Sequence, residues 1–251
     1  VPDKTRKVLI LGGTREARRL AELAVTMLPI RVEVITSYAG RTKRPSDPPG
    51  TIREGGFGGT QGLAAYLKDT GINLVVDATH PFAERISDHA FDACVNTETQ
   101  RLRLARPPWR LQTNAKWTEF SDMAAAADAV GHFARRAFLT TGTQDIEAFS
   151  DATDTWFLVR LIEAPTEPLP LTEHEIILAR PPFTLDDEKA LLVEHQIDTV
   201  VSKHAGGPLP AKITAALDLG LPIILIQQPP PVPGNQVDSV EAALAWILSQ
   251  L

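Results

Sequence analysis

Residues 7–23, KVLILGGTREARRLAEL, decide how the chain is read. Val8–Leu11 is an apolar run, and Gly12-Gly13-Thr14 breaks it. Ala17, Leu20, Ala21, Leu23 and Ala24 then recur at the spacing of a buried helical face. A buried strand, a glycine turn and a helix in that order open a dinucleotide-binding βαβ unit. The first helical turn offers backbone N–H groups and the positive end of the helix dipole, which suit a pyrophosphate. In the pattern G-x-G-x-x-G/A, Gly12 fits the first position and Ala17 the last, while Thr14 stands at the middle glycine. The Thr14 hydroxyl is expected to donate to a phosphate oxygen, with Gly13 and Glu16 lining the same turn and Arg15, just after it, within reach of a 2′-phosphate on the adenosine ribose. The stretch also fits an ordinary strand–turn–helix without a ligand.

Working outward, RVEVITS from Arg31 reads as the second strand. An acidic residue at its end would favour NAD. Here Thr36-Ser37 closes it, with Arg41, Lys43 and Arg44 beyond, and a hydroxyl with nearby cations suits the 2′-phosphate of NADPH. A solvated loop explains those three cations equally well. Thr51–Glu54 reads as a third strand. Gly55-Gly56-Phe57-Gly58-Gly59 then lets backbone approach a ligand, or makes a tight turn. Asn73–Asp77 is a buried fourth strand running into Ala78-Thr79-His80-Pro81. Pro81 fits the first turn of a helix, so Thr79 and His80 are expected at its mouth, beyond a strand C-terminus where open α/β sheets bind ligands. A histidine is a poor N-cap, which points to function for His80, although a structural histidine fits too.

Composition narrows the classes. The 251 residues allow one large or two small domains. A net charge of −6 argues against broad nucleic-acid binding. Cys94 is the single cysteine, so no internal disulfide forms, and its apolar surroundings predict a buried thiol. No apolar run approaches the ~20 residues that span a membrane. The N-terminus lacks a signal-peptide pattern, so a cytoplasmic location is expected. Six histidines without paired ligand spacing predict no metal.

The residues LILGGTREARRLAEL, DATHPFAERIS and RLARPPW resemble the precorrin-6A reductases of cobalamin (vitamin B12) biosynthesis. The resemblance covers nearly the whole chain. It implies an NADPH-dependent reduction of a double bond in precorrin-6A, giving precorrin-6B, with the cobalt-bound ring as the alternative substrate. Its implied partners are that tetrapyrrole-derived ring and neighbouring enzymes of the pathway. Neither nucleic acid nor membrane is expected.

Beyond the fifth strand, Arg101–Ala105, the stretch Arg106-Pro107-Pro108-Trp109 reads as a stiff hinge. Residues 1–106 are then an NADPH-binding Rossmann-like domain and 107–251 a second, substrate-binding α/β domain. The expected architecture is two such lobes with mostly parallel sheets and a cleft between them. Arg103, Arg106 and Arg110 place cations at the junction. Trp109 either packs on the macrocycle or wedges the lobes apart. Ser121 is the expected cap of an alanine-rich helix. Ala137–Thr141 followed by Gly142-Thr143 repeats the opening strand–glycine–helix plan, making Thr141, Gly142 and Thr143 a second anion site. The resemblance carries a lysine onto Lys203, at the end of the strand Asp198–Ser202, as a carboxylate clamp. His204-Ala205 departs from the family's acidic-serine pair there, and His204 is counted with the substrate-binding residues. Leu221–Gln227 is the expected last strand, and the QPPPVPG after it replaces an arginine-proline pair.

Lys203 and His80 are the expected catalytic residues, placing charge and ring without shuttling protons. A short-chain dehydrogenase would need Tyr-x-x-x-Lys, but Thr42 and Thr70 stand four residues after Tyr38 and Tyr66. A non-catalytic NADP sensor would share the first lobe without needing Thr141–Thr143 and Lys203.

Overall fold

Val8 and Ile10 of the leading strand face one way and Leu9 and Leu11 the other, and all four are buried. A strand apolar on both faces belongs inside a parallel sheet covered on both sides. The computed structural model, which describes residues 5–39, 48–110 and 116–251, places it there. Arg41, Lys43 and Arg44 lie outside the described residues.

Among the described residues twelve strands form two sheets: β1 (Arg6–Leu11), β2 (Val32–Tyr38), β3 (Thr51–Glu54), β4 (Leu74–Asp77), β5 (Gln100–Leu104), β6 (Trp117–Phe120), β7 (Arg136–Leu139), β8 (Trp156–Leu161), β9 (Glu173–Leu178), β10 (Thr199–Lys203), β11 (Ile223–Ile226) and β12 (Asn235–Val237). The α-helices are α1 (Arg15–Met27), α2 (Gly59–Thr70), α3 (Glu84–Thr97), α4 (Met123–Phe133), α5 (Leu185–Glu194), α6 (Ala211–Asp218) and α7 (Val240–Gln250). Thr143–Phe149 is a 3₁₀ helix, where the sequence suggested an ordinary helical segment.

The first unit takes the chain up to Pro107 together with Pro229–Leu251. Its sheet runs β12-β5-β4-β1-β2-β3, all parallel. Helices α1 and α7 cover the face of Val8, Ile10 and Val76, while α2 and α3 cover that of Leu9, Leu11 and Val75. The chain therefore reverses its winding between β1 and β4. The crevice beyond the strand C-termini at such a reversal is where an open parallel sheet takes a ligand.

The second unit, Pro108–Gln228, carries the sheet β6-β11-β10-β7-β8-β9, again all parallel. Leu192, Ile213 and Ala216 pack with Phe138, Leu158 and Val200 on one face. Its reversal falls between β7 and β10.

The structure corrects the expected span 107–251 for the second domain. β12 pairs with β5, setting Asn235 against Leu102 and Val237 against Leu104. Ala243, Leu244 and Ile247 of α7 bury against the cluster of Ala17, Leu20 and Ala24. Arg101 also donates to the Pro233 carbonyl at 2.7 Å. Leu221–Gln227 is accordingly not the last strand. Two helix starts differ as well. Asp122, not Ser121, caps α4, its carboxylate accepting from Ala125 N at 2.9 Å. Helix α3 begins at Glu84, three residues after Pro81, because a turn closed by Ala83 N on the His80 carbonyl comes first. No helix among the described residues is long and apolar enough to cross a membrane.

Candidate functional site

The turn after β1 is built for close backbone approach. A Cβ on Gly12 would meet Thr36 Cγ2 and Tyr38 Cε1 at 3.2 Å, so glycine lets β1 hand over to the turn beside β2. Gly13 holds φ +112° with open space where a side chain would stand. Thr14 caps α1: its hydroxyl accepts from Ala17 N at 3.1 Å and donates its one proton to the Ala78 carbonyl at 2.7 Å. That corrects the expected phosphate donation by this side chain. Thr14 instead ties the two walls of the β1/β4 crevice together. The N–H groups of Arg15 and Glu16 remain without intrahelical acceptors. Glu16 would repel an anion there, but Arg106 pairs with it at 2.6 Å. Arg106 is thus engaged with Glu16 beside the glycine turn of its own unit. Arg15 is exposed.

The other wall rests on a buried ionic knot. Asp77 is wholly buried, 2.5 Å from Arg103 and 3.7 Å from Arg101. Thr79 donates to Asp77 through its N–H at 3.2 Å and its hydroxyl at 2.7 Å, and Arg103 reaches the hydroxyls of Thr79 and Ser87 at 3.0 Å. Burial lowers the Arg101 pKa, and Asp77 opposes that shift. The Thr79 hydroxyl and Arg103 are thus both engaged in this knot, and both shape the Ala78–Ala83 turn. Within that turn His80 Nδ1 accepts from Phe82 N at 3.3 Å, which in the neutral ring puts the proton on Nε2.

The β2 end brings an unanticipated cation. Arg53 donates to the Gly55 and Gly56 carbonyls at 2.6 and 3.0 Å, and its guanidinium lies 3.6 Å from the centre of the Phe57 ring. It is also 3.3 Å from Ser37 Oγ. Burial lowers its pKa, with Tyr66 opposing. Gly62 lets α2 pack this close, since a Cβ there would fall 1.7 Å from the Phe57 carbonyl oxygen.

In the second unit, Lys203 at the end of β10 meets Asp145 of the 3₁₀ helix at 2.5 Å. Asp145 was not singled out in the sequence, because 58 residues separate the partners. Thr141 is buried, and its hydroxyl has no hydrogen-bond partner among the described residues. Gly142 follows at φ +92°, and Thr143 is exposed. Two expected ring contacts are core residues instead. Trp109 is buried in the second unit's hydrophobic cluster. Its backbone N–H donates to His204 Nε2 at 2.8 Å, so Nδ1 carries the proton toward Glu119 at 2.5 Å. With both ring nitrogens engaged, His204 fastens Trp109 to Glu119 of β6. Among the described residues no group of three His, Cys, Asp or Glu side chains gathers as a metal site.

The model of the family described as Precorrin-6x reductase CbiJ/CobK matches residues 7–248. The chain belongs to the precorrin-6x reductase family. It is 42% identical over 243 residues to the precorrin-6A reductase of Rhodococcus erythropolis, covering 96% of this chain and 97% of that one. It is 29% identical to the cobalt-precorrin-6A reductase of Salmonella typhimurium, covering 97% and 95%. The solved structure of CobK precorrin-6A reductase superposes with a TM-score of 0.90 at 40% identity, covering 98% of this chain and 97% of that one.

Proposed function

We propose that this chain is a precorrin-6A reductase that uses NADPH to reduce one double bond of the ring, giving precorrin-6B. The family match over residues 7–248 supports the reaction, and the β1–α1 turn supports the cofactor. The higher identity to precorrin-6A reductases than to the cobalt-precorrin enzyme favours the metal-free ring. A cytoplasmic location and hand-over to neighbouring pathway enzymes belong to the same reading.

The single observation that carries the cofactor assignment is the bare turn at Gly12–Gly13, opposite the Thr14–Ala78 tie and with Glu16 neutralised by Arg106. Gly12, Gly13 and the first N–H groups of α1 would hold the pyrophosphate. Ser37 with Arg53 would meet the 2′-phosphate, where an acidic residue would repel it. Gly55, Ala78, Thr79 and His80 would shape the rest of the pocket through their backbone. NADPH supplies the hydride. In the second unit, Lys203, held by Asp145, offers a fixed point charge to a ring carboxylate. Thr141, with its unused hydroxyl, and Gly142-Thr143 stand at the same sheet edge. Lys203 and His80 position the reactants, and the conjugated ring nitrogens accept the proton. Placement then supplies most of the rate.

The test is anaerobic stopped-flow absorbance at 340 nm with precorrin-6A. NADPH oxidation is expected, with NADH slower and Lys203→Ala lowering kcat/KM by about 10²-fold. Unchanged absorbance would leave only a dinucleotide-binding protein.

A further inference from the structure

His204 stands where the two ends of the second unit meet. The chain enters that unit at Pro108 and leaves it at Gln228. Trp109, one residue after the entry, donates its N–H to His204 Nε2 at 2.8 Å, and its ring packs against the imidazole with centres 4.8 Å apart. Gln227, one residue before the exit, donates to Glu119 Oε2 at 3.4 Å, and Glu119 Oε1 meets His204 Nδ1 at 2.5 Å. Backbone bonds close the set: His204 N donates to the Ile226 carbonyl and Gln227 N to the Phe120 carbonyl, both at 2.9 Å. The entry, β6, the end of β10 and the end of β11 therefore share one imidazole–carboxylate pair. Trp109 and His204 are each 7% exposed, so the bond between them is screened from water.

That bond exists in one charge state only. A neutral imidazole has one donor and one acceptor. Nδ1–H faces the Glu119 carboxylate, and bare Nε2 faces the Trp109 N–H. An imidazolium carries a proton on both nitrogens, which would set Nε2–H against Trp109 N–H, donor against donor. The Glu119 bond survives that change and the Trp109 bond does not. Among the described residues Glu119 is the charged side chain in contact with the ring. β11 presents neutral Gln227, Lys203 of β10 turns to Asp145, and residues 111–115 carry no charged side chain.

We propose that His204 is a positioning residue for the reduction: its neutral ring seats the entry of the second unit and, through Glu119, the exit, and a proton added to the ring releases Trp109. This rests on the reading of the chain as a precorrin-6A reductase. A hydride that passes from a cofactor on one unit to a ring on the other needs the two joining segments held in place. Histidine side chains change charge between pH 5 and 8, and the release is expected in that range.

Two measurements on the full chain between pH 5 and 8.5 test this. The first is the exchange protection factor of the Trp109 amide, read by NMR without ligand. The second is kcat with saturating NADPH and precorrin-6A, read by stopped flow from neutral stocks. On acidification the protection is expected to be lost and kcat to fall about tenfold, with one shared midpoint. Glu119→Gln keeps an acceptor for Nδ1–H but removes the charge that favours the imidazolium, so both midpoints should move about one pH unit lower. His204→Gln has a donor and an acceptor on one amide and no titrating proton. It should keep its Trp109 protection flat across the range and lose the acid fall in kcat. A merely structural histidine would change Tm in these variants without moving the kinetic midpoint. Protection that persists at pH 5 in the unaltered protein, or a kcat midpoint that stays in place in Glu119→Gln, overturns the proposal. Should His204→Gln not fold, the other two proteins decide alone. Absence of NADPH oxidation at every pH would instead remove the reductase reading itself, with the Trp109 exchange still deciding whether a proton opens this seat.

Discussion

Removing Arg103 should unseat the β4 wall of the β1/β4 crevice. In Arg103→Met the wholly buried Asp77 keeps the two hydrogen bonds from Thr79 and the more distant Arg101 at 3.7 Å, but loses its 2.5 Å partner. Breaking a buried pair by deleting one member costs about 3–5 kcal/mol, since the survivor stays uncompensated. Arg101 and Thr79 bring the figure to the lower end, about 3 kcal/mol. For a unit of this size that lowers Tm by about 10 °C. Differential scanning calorimetry should show the shift in the transition of the first unit and not in that of the second. Asp77→Asn/Arg103→Met, which removes both charges, should recover part of the loss. NADPH should bind more weakly to the single variant, because Thr79 and the Ala78–Ala83 turn hang on the same knot. A Tm within 2 °C of the parent, or strict additivity of the two substitutions, would refute the reasoning.

Other outcomes follow from the same geometry. Thr14→Val removes both the cap of α1 and the tie to Ala78, so it should cost about 2 kcal/mol and weaken NADPH binding, while Thr14→Ser retains both; fluorescence titration and thermal melts read this. Cys94 is buried and its pKa is pushed up to about 12 by desolvation, with Arg101 opposing. It should resist iodoacetamide at pH 8 in the folded protein and react fully in guanidinium, as mass spectrometry will show. Lys212 holds its proton less tightly in the folded protein than its ordinary value of 10.5 implies. The unfolded chain thus binds more protons between about pH 8 and 10.5, and this group's contribution to stability rises with pH across that window. The Tm of the unaltered protein relative to Lys212→Met should rise accordingly.

Much of the fold was legible because it is written in short-range pattern. The doubly apolar strands β1 and β4 and the spacing of Ala17, Leu20 and Ala24 require a covered parallel sheet whatever lies elsewhere. β12 escaped notice because Asn235-Gln236-Val237 is short and mostly polar, an edge strand whose only requirement is a partner in β5. The candidate site was legible where backbone shapes it, at the open turns of Gly12-Gly13 and Gly142, and obscure where side chains do. Thr14, Thr79 and His204 are the right residue types for ligand contact, yet each is consumed by a bond to a distant strand or helix. Asp145 and Arg53 are ordinary charged residues in sequence, and only the packing of separated segments gives them a role.

The route of the chain has a consequence for synthesis. Pro108–Gln228 is continuous and has all its strands once it has left the ribosome. The sheet begun by Arg6 lacks an edge strand, and α1 a covering helix, until Asn235–Gln250 follow. During translation the later-made unit can therefore consolidate first. A chain halted before α7 is made would leave open the Leu102 and Leu104 side of that sheet, which Ala243, Leu244 and Ile247 close.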